Sequence, residues 1–157
     1  MADAAGEILT AGATALAHMD GLEPGLQVLT DALARAAGAA SAVIVIPAGR
    51  AGGLAVAASF GLGDAPRTAL ATAILNPDHP IARTAATGQA GFDVLPTAPG
   101  GPALRSHLPL VSTRDGADTV LGVLALAHER PIPPALRPLL QSGADLAAVV
   151  VERHRLP

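Results

Sequence analysis

Two pairs of short apolar runs, each pair joined by turn residues, constrain this chain more than any other feature. Ala42–Ile46 is rich in β-branched residues and ends at Pro47, and Leu54–Ser59 returns after Ala48-Gly49-Arg50-Ala51-Gly52-Gly53. Leu104–Ser112 and Thr119–His128 are joined around Arg114-Asp115-Gly116. Runs of this length bounded by Gly, Pro and Asp read as hairpins. Hairpins place their strands antiparallel, so the sheet is expected to be antiparallel, with helices covering its faces.

Helical periodicity fills the intervals. Asp3–Met19 places Ile8, Leu9, Gly12, Ala13, Leu16 and Met19 at helical spacing, and Asp20-Gly21-Leu22-Glu23-Pro24-Gly25 breaks the pattern. A second helix is expected from about Pro24 to Ala37, with Gly38 as its C′ residue. Asp64, with Pro66 in the first turn, predicts a helix to about Leu75, stopped by Asn76-Pro77. Asp78 then caps a helix carrying Pro80 in its first turn and ending at Gly88. Ala90–Leu95 reads as a short strand, Pro96–Pro102 as a loop, and Pro131-Ile132-Pro133-Pro134 as the start of a last helix reaching Arg155. At ~1.5 Å per residue that helix is roughly 33 Å long. The expected order is α-α-β-β-α-α-β-β-β-α.

Composition removes whole classes of chemistry. Half of the 157 residues are hydrophobic, which supplies a core for one domain. Cysteine is absent, so disulfides, thiolate metal sites, thiol catalysis and thioether-linked chromophores are excluded. The net charge is −3 and all ten basic residues are Arg, scattered along the chain, which points to a GC-rich bacterial genome. A nucleic-acid surface needs a basic stripe, and none is present. The acidic N-terminal stretch lacks the pattern of a signal peptide, and no apolar run approaches the roughly 20 residues that span a bilayer. A cytoplasmic location, without membrane attachment, is expected.

The words in the second half are more specific than the order. His79-Pro80-Ile81-Ala82-Arg83-Thr84-Ala85-Ala86-Thr87-Gly88-Gln89, then Phe92-Asp93-Val94, resembles the stretch of GAF domains in which a helix ends in a Thr-Gly-Gln turn before a strand carrying Asp. Leu104-Arg105-Ser106-His107-Leu108-Pro109-Leu110-Val111 resembles the family's Arg-Ser…Pro-Leu strand, and Thr119–Leu126 its Gly-Val-Leu strand. The resemblance spans Leu26 to Arg155. It implies an α+β, profilin-like fold with a five- to six-stranded antiparallel sheet, helices on both faces, and long terminal helices. It divides the chain into an N-terminal helix, 1–22, and a GAF domain, 23–157, that includes the last helix. It also implies a pocket between the sheet and the helices around Leu62–Gly88, and dimerisation through the first and last helices.

Departures matter equally. The cyclic-nucleotide members carry an Asn-Lys…Phe…Asp-Glu signature, and this chain has no Lys; the sulfoxide reductases and bilin binders of the family need Cys. No output domain of the kind that regulatory members carry is expected within these 157 residues. The expectation is a non-catalytic sensory domain for a small, mainly apolar molecule, with Ser59, Phe60, Asp78, His79, Ile81, Asp93, Ser106 and His107 at the ligand. Asp78 reads equally as a plain helix cap, Asp93 as an edge-strand carboxylate, and His107 as a buried strand residue bonded to backbone. No cofactor is required, and haem ligated by His107 is an option. His18, His128 and His154 read as solvated. The apolar stripe of the last helix (Leu139, Gly143, Ala147, Val150), with Ile8, Gly12 and Leu16 of the first, suggests a four-helix bundle across a homodimer two-fold. A signalling or transcription protein is the expected further partner. The alternative is a degenerate GAF domain with a filled pocket, serving dimerisation or protein interaction.

Overall fold

Alternate residues of the strand Ser41–Ala48 (β1) leave it on opposite faces, and both faces are buried. Ala42, Ile44 and Ile46 join one apolar core, while Val43 and Val45 join another. A strand buried on both sides needs a layer above and a layer below, and these two cores set the plan of the molecule. The computed structural model describes residues 2–17, 21–48, 53–96, 101–114 and 116–155.

Among the described residues the strands are β1, β2 (Gly53–Phe60), β3 (Gly91–Val94), β4 (Leu104–Arg114) and β5 (Ala117–His128). They form one antiparallel sheet in the order β2-β1-β5-β4-β3. The helices are α1 (Ala2–Ala17), α2 (Leu22–Ala37), α3 (Asp64–Ala73), α4 (Pro80–Thr87) and α5 (Arg137–Arg155), with a 3-10 turn at Pro134–Leu136. The expected order of elements is therefore present, with five strands. Met19, Asp115 and most of the 48–53 and 96–102 connections lie outside the described residues.

The larger core lies between one sheet face and α1, α2 and α5. Leu26, Leu29 and Leu33 of α2, Leu140 and Val150 of α5, and Leu108, Leu124 and Leu126 of the sheet are all inaccessible to solvent. Small residues let the three helices approach closely. A Cβ on Gly143 of α5 would strike Leu33 of α2, and one on Gly12 of α1 would lie 2.7 Å from Leu146 Cδ1. The residues of the expected dimer face take part in this packing within the chain. Ile8, Gly12, Gly143, Ala147 and Val150 are buried inside the chain, and Leu16 and Leu139 pack half-buried against the same core. The stripe is wide because α5 meets two helices and a sheet. Leu9 and Val149 are the large apolar side chains that these two helices leave exposed.

The second core is smaller: Val43, Val45 and Val123 of the sheet against Ile74 and Ile81, under the short helices α3 and α4. Helix ends follow the sequence signals at Gly38 and Gly88, which adopt left-handed conformations at φ 65° and 70°. Starts follow them less well. Gly63, not Asp64, is the N-cap of α3, and His79, not Asp78, is the N-cap of α4.

The β2 edge is covered by side chains at Ser59. Gln27 of α2 behaves as a surrogate strand: its Nε2 donates to the Ser59 carbonyl at 2.7 Å, and its Oε1 accepts from the Ser59 amide at 3.4 Å. Arg67 of α3 donates to Ser59 Oγ from the other side at 3.0 Å. An edge occupied in this way is a poor template for further strand pairing.

Candidate functional site

Between the sheet and the pair α3–α4 lies a cavity of about 670 Å³. Its floor includes Val43, Arg105, His107 and Ala125; Leu62, Pro66, Leu70 and Ala73 come from the α3 side, and His79, Pro80 and Ile81 from the start of α4. Val94, Leu95, Pro96 and Pro102 also line it, and Leu95 is 77% exposed. The lining is mainly apolar, with a few polar groups concentrated at Arg105, His107 and His79. That combination is the usual constitution of a small-molecule site. A smaller hollow of about 380 Å³, bounded by Leu54, Ile74, Ala82, Ala85 and Val120, has no polar side chain in its lining.

Local geometry fixes the chemical state of the two imidazoles. Pro80 has no amide hydrogen to cap, and the next amide, that of Ile81, donates to His79 Nδ1 at 3.1 Å. With Nδ1 accepting, the neutral ring carries its proton on Nε2. Burial holds the His79 pKa below the ordinary value. His107 stands on β4, two residues from Arg105, so both side chains leave the same face of the sheet. Burial, then the neighbouring His79 and Arg105, push the His107 pKa down to about 4. The ring is therefore neutral at pH 7. It is only 7% exposed, and among the described residues it has no hydrogen bond.

Arg105 is held at one end only. Its Nη1 donates to the Pro102 carbonyl at 2.6 Å and to the Leu104 carbonyl at 3.2 Å. Among the described residues no carboxylate pairs with it. The opposite edge, Nε and Nη2, is left with donors to give.

Of the eight residues expected at a ligand, the structure brings His79, Ile81 and His107 together in the cavity. Asp78 is exposed, its amide bonded to Asn76 Oδ1 at 3.0 Å, because the helix begins one residue later than the Asp signal suggested. Phe60 packs on the larger core, on the far side of the sheet, and Ser59 is taken up by Gln27 and Arg67. Arg105, the Arg of the Arg-Ser…Pro-Leu strand, also lines the cavity and is not among the eight residues expected at the ligand.

Ser106 and Asp93 belong to a different construction on the far face. Asp93 has φ 57°, a left-handed conformation that Asp tolerates better than most side chains. Its amide donates to Ser106 Oγ at 3.2 Å, and its carboxylate accepts from the Ile132 amide at 2.8 Å and from Arg137 Nη2 at 3.0 Å. Arg137 also stacks over Phe92, 4.9 Å from the ring centroid. Ser106 Oγ lies 2.8 Å from Nε2 of His128, whose Nδ1 is 2.7 Å from the Arg130 carbonyl. A carbonyl only accepts, so Nδ1 carries the proton and Ser106 donates to Nε2. This corrects the reading of His128 as solvated: it is 1% exposed. A Ser–His pair at this distance resembles a nucleophile and its base, but both residues are buried and the Asp serves Ile132 and Arg137 instead of the imidazole. The group is a clasp. It ties β3, β4 and β5 to the start of α5.

No group of three or more His, Asp or Glu side chains among the described residues is placed to hold a metal ion. His107 presents a neutral imidazole inside the cavity, the form that ligates haem iron. Among the described residues no helix is long and apolar enough to cross a membrane.

No protein-family model and no curated protein matches the sequence. Solved structures match the fold along nearly its whole length. The GAF domain of the phosphoenolpyruvate-protein phosphotransferase from Acinetobacter superposes with a TM-score of 0.73 at 14% identity, over 94% of this chain and 91% of that one. The GAF-B domain of DevS from Mycobacterium smegmatis gives 0.63 at 20% identity, over 90% and 93% of the two chains. The free methionine-R-sulfoxide reductase of Neisseria meningitidis, solved with its substrate, gives 0.71 at 17% identity, over 95% and 88%. The chain has the GAF fold, as an α+β domain with a five-stranded antiparallel sheet.

Proposed function

We propose that this GAF-fold chain is a non-catalytic sensory domain that takes a small, mainly apolar molecule into the cavity between its sheet and α3–α4. The observation that carries the reading is the cavity itself: about 670 Å³, walled by apolar side chains, with a buried imidazole that receives no hydrogen bond from the described residues. The ring nitrogens of His107 are left open to the cavity, where a ligand can take up their hydrogen bonds. Regulatory GAF domains predominate among the matched folds; the one reductase among those compared above acts on a free amino-acid sulfoxide, whereas this chain has no cysteine for thiol chemistry.

The clasp gives such a signal a way out. Val94 lines the cavity, and its neighbour Asp93 is bonded to the segment that opens α5. A ligand that moves Val94 would bear on Asp93, and through Arg137 on the terminal helix.

Native mass spectrometry of the purified protein and thermal unfolding against a metabolite panel test the reading. Extra bound mass, or a ligand present at a hundredfold its Kd that stabilises by about 2.7 kcal/mol and raises Tm by roughly 5–10 °C, is the expected result. Bare protein together with an unmoved Tm across the panel would overturn it. A haem ligand would also appear as colour.

A second role, association with a second copy or with a signalling protein, rests on Leu9 and Val149, the apolar residues that α1 and α5 leave exposed. The same mass spectrum reports it. A monomer, or a dimer that survives Leu9→Glu, counts against these helices as the contact.

A further inference from the structure

If the cavity receives a small molecule as proposed above, its polar end restricts what that molecule carries. We propose that the ligand is a monocarboxylic acid with an apolar body, its carboxylate seated on the free edge of Arg105 between His79 and His107.

Three observations converge on one head group. Arg105 is a half-buried cation whose Nη1 is spent on the Pro102 and Leu104 carbonyls, leaving Nε and Nη2 as a two-donor edge with no carboxylate among the described residues. That edge matches the two oxygens of a carboxylate, side by side. His79, with Nδ1 accepting from the α4 backbone, retains Nε2–H as a donor, so the ring passes the positive end of the helix on to the cavity. The His107 side chain has no hydrogen bond among the described residues, and its neutral ring has a donor to offer.

Charge decides between anions. The cavity polar groups carry one fixed positive charge against two neutral rings, enough to balance a monoanion. A dianionic phosphate would bury one charge without compensation, which is costly in an apolar site. A cation would meet Arg105 directly. Beyond the head, Val43, Leu62, Leu70 and Ile81 leave only apolar surface for the rest of the ligand.

Titration calorimetry of the full chain near pH 7.5 separates this inference from the reading beneath it. The probes are octanoate and 3-phenylpropanoate, the alcohols of matching length, octylamine and octylphosphonate. Acids are expected to bind at least tenfold tighter than their alcohols, with about a fourfold gain per added methylene as apolar area is buried. Octylamine is expected not to bind. Arg105→Gln should bring acid and alcohol to similar affinity, the acid losing at least tenfold more than the alcohol. Alcohols binding as tightly as acids to the native chain would overturn the carboxylate and leave the apolar cavity standing. Tighter binding of octylphosphonate than of octanoate would overturn it in favour of a dianion. Failure of every probe would remove both readings. The acid–alcohol comparison on the native chain needs no variant and decides the matter even where Arg105→Gln does not fold.

Discussion

The two faces of the sheet are made from the same strands, yet they are used in opposite ways. On the face covered by α1, α2 and α5, long aliphatic side chains interdigitate with glycine and alanine against the sheet: Leu33 fills the space over Gly143, and Leu146 that over Gly12. On the other face, α3 buries none of its residues and α4 buries only Ile81 and Thr84. The first face supplies the cohesion that lets the second remain under-packed. A domain can hold a cavity against one side of a sheet when the other side is filled at the density of an organic crystal.

Four measurements would break or sharpen that contrast. The largest expected effect is on the packed face. Leu124→Ala removes an inaccessible side chain next to Leu108 and α5, and should cost about 2–5 kcal/mol in urea unfolding. Leu70→Ala on α3, half-buried at the cavity wall, should cost well under half of that. Equal losses at the two sites would end the distinction between the faces.

The second effect is a pH dependence that belongs to the cavity face. His107 has a folded pKa near 4 against an ordinary value of 6.5. The unfolded chain therefore binds the extra proton first, and stability is full above about pH 6.5 and declines as the pH falls toward 4. The maximum loss is about 3 kcal/mol, and it is set first by the burial of the ring and then by the neighbouring His79 and Arg105. His107→Gln should flatten this window; an unchanged slope would show that other groups carry it.

Third comes the clasp. Asp93→Ala deletes the acceptor for Ile132 and Arg137 in a backbone conformation that alanine tolerates less well, and should cost about 1–3 kcal/mol. It should also weaken any effect of bound acid on hydrogen exchange in α5. Persistence of that effect at full size would place the route elsewhere. Smallest is Leu95→Ser at the exposed rim, expected within about 0.5 kcal/mol of the parent in stability. Its readout is acid affinity, which should fall as apolar contact is lost.

The distribution of what could be read in the sequence has the same physical origin as this contrast. Elements were legible because their signals are local: Gly38 and Gly88 end helices where a left-handed residue is required, and alternation with turn residues marks the hairpins. Facing was not. Register shifts interrupt the β1–β2 ladder between Ile44 and Val45, the β3–β4 ladder between Gly91 and Val94, and the β4–β5 ladder between Leu110 and Val111. Each shift can turn the following residues over, and Asp93 sits inside one of them. Ser106 and His107 are neighbours in sequence and so occupy opposite faces, only one of which lines the cavity. The Ser106–His128 bond spans 22 positions and has no local trace. Nor did the width of the α5 stripe say whether its neighbours were α1 and α2 of its own chain or helices of a second copy. Arg105 was missed because an unpaired guanidinium looks like any surface arginine until its partners are counted.

The strand order has a consequence for how the molecule is made. β1 lies beside β5, so Ser41 pairs with Ala127, and the middle of the sheet is formed by segments remote in the chain. During synthesis the β1–β2 hairpin emerges first and must wait, one apolar edge unpaired, while the intervening helices and strands are translated. At roughly 5–20 residues per second, the roughly 80 residues between the partners take about 4–16 s. Over that interval Ala42–Ile46, a continuous apolar run, is exposed to other nascent chains and to chaperones. The sheet closes at its centre only after the ribosome has delivered β5.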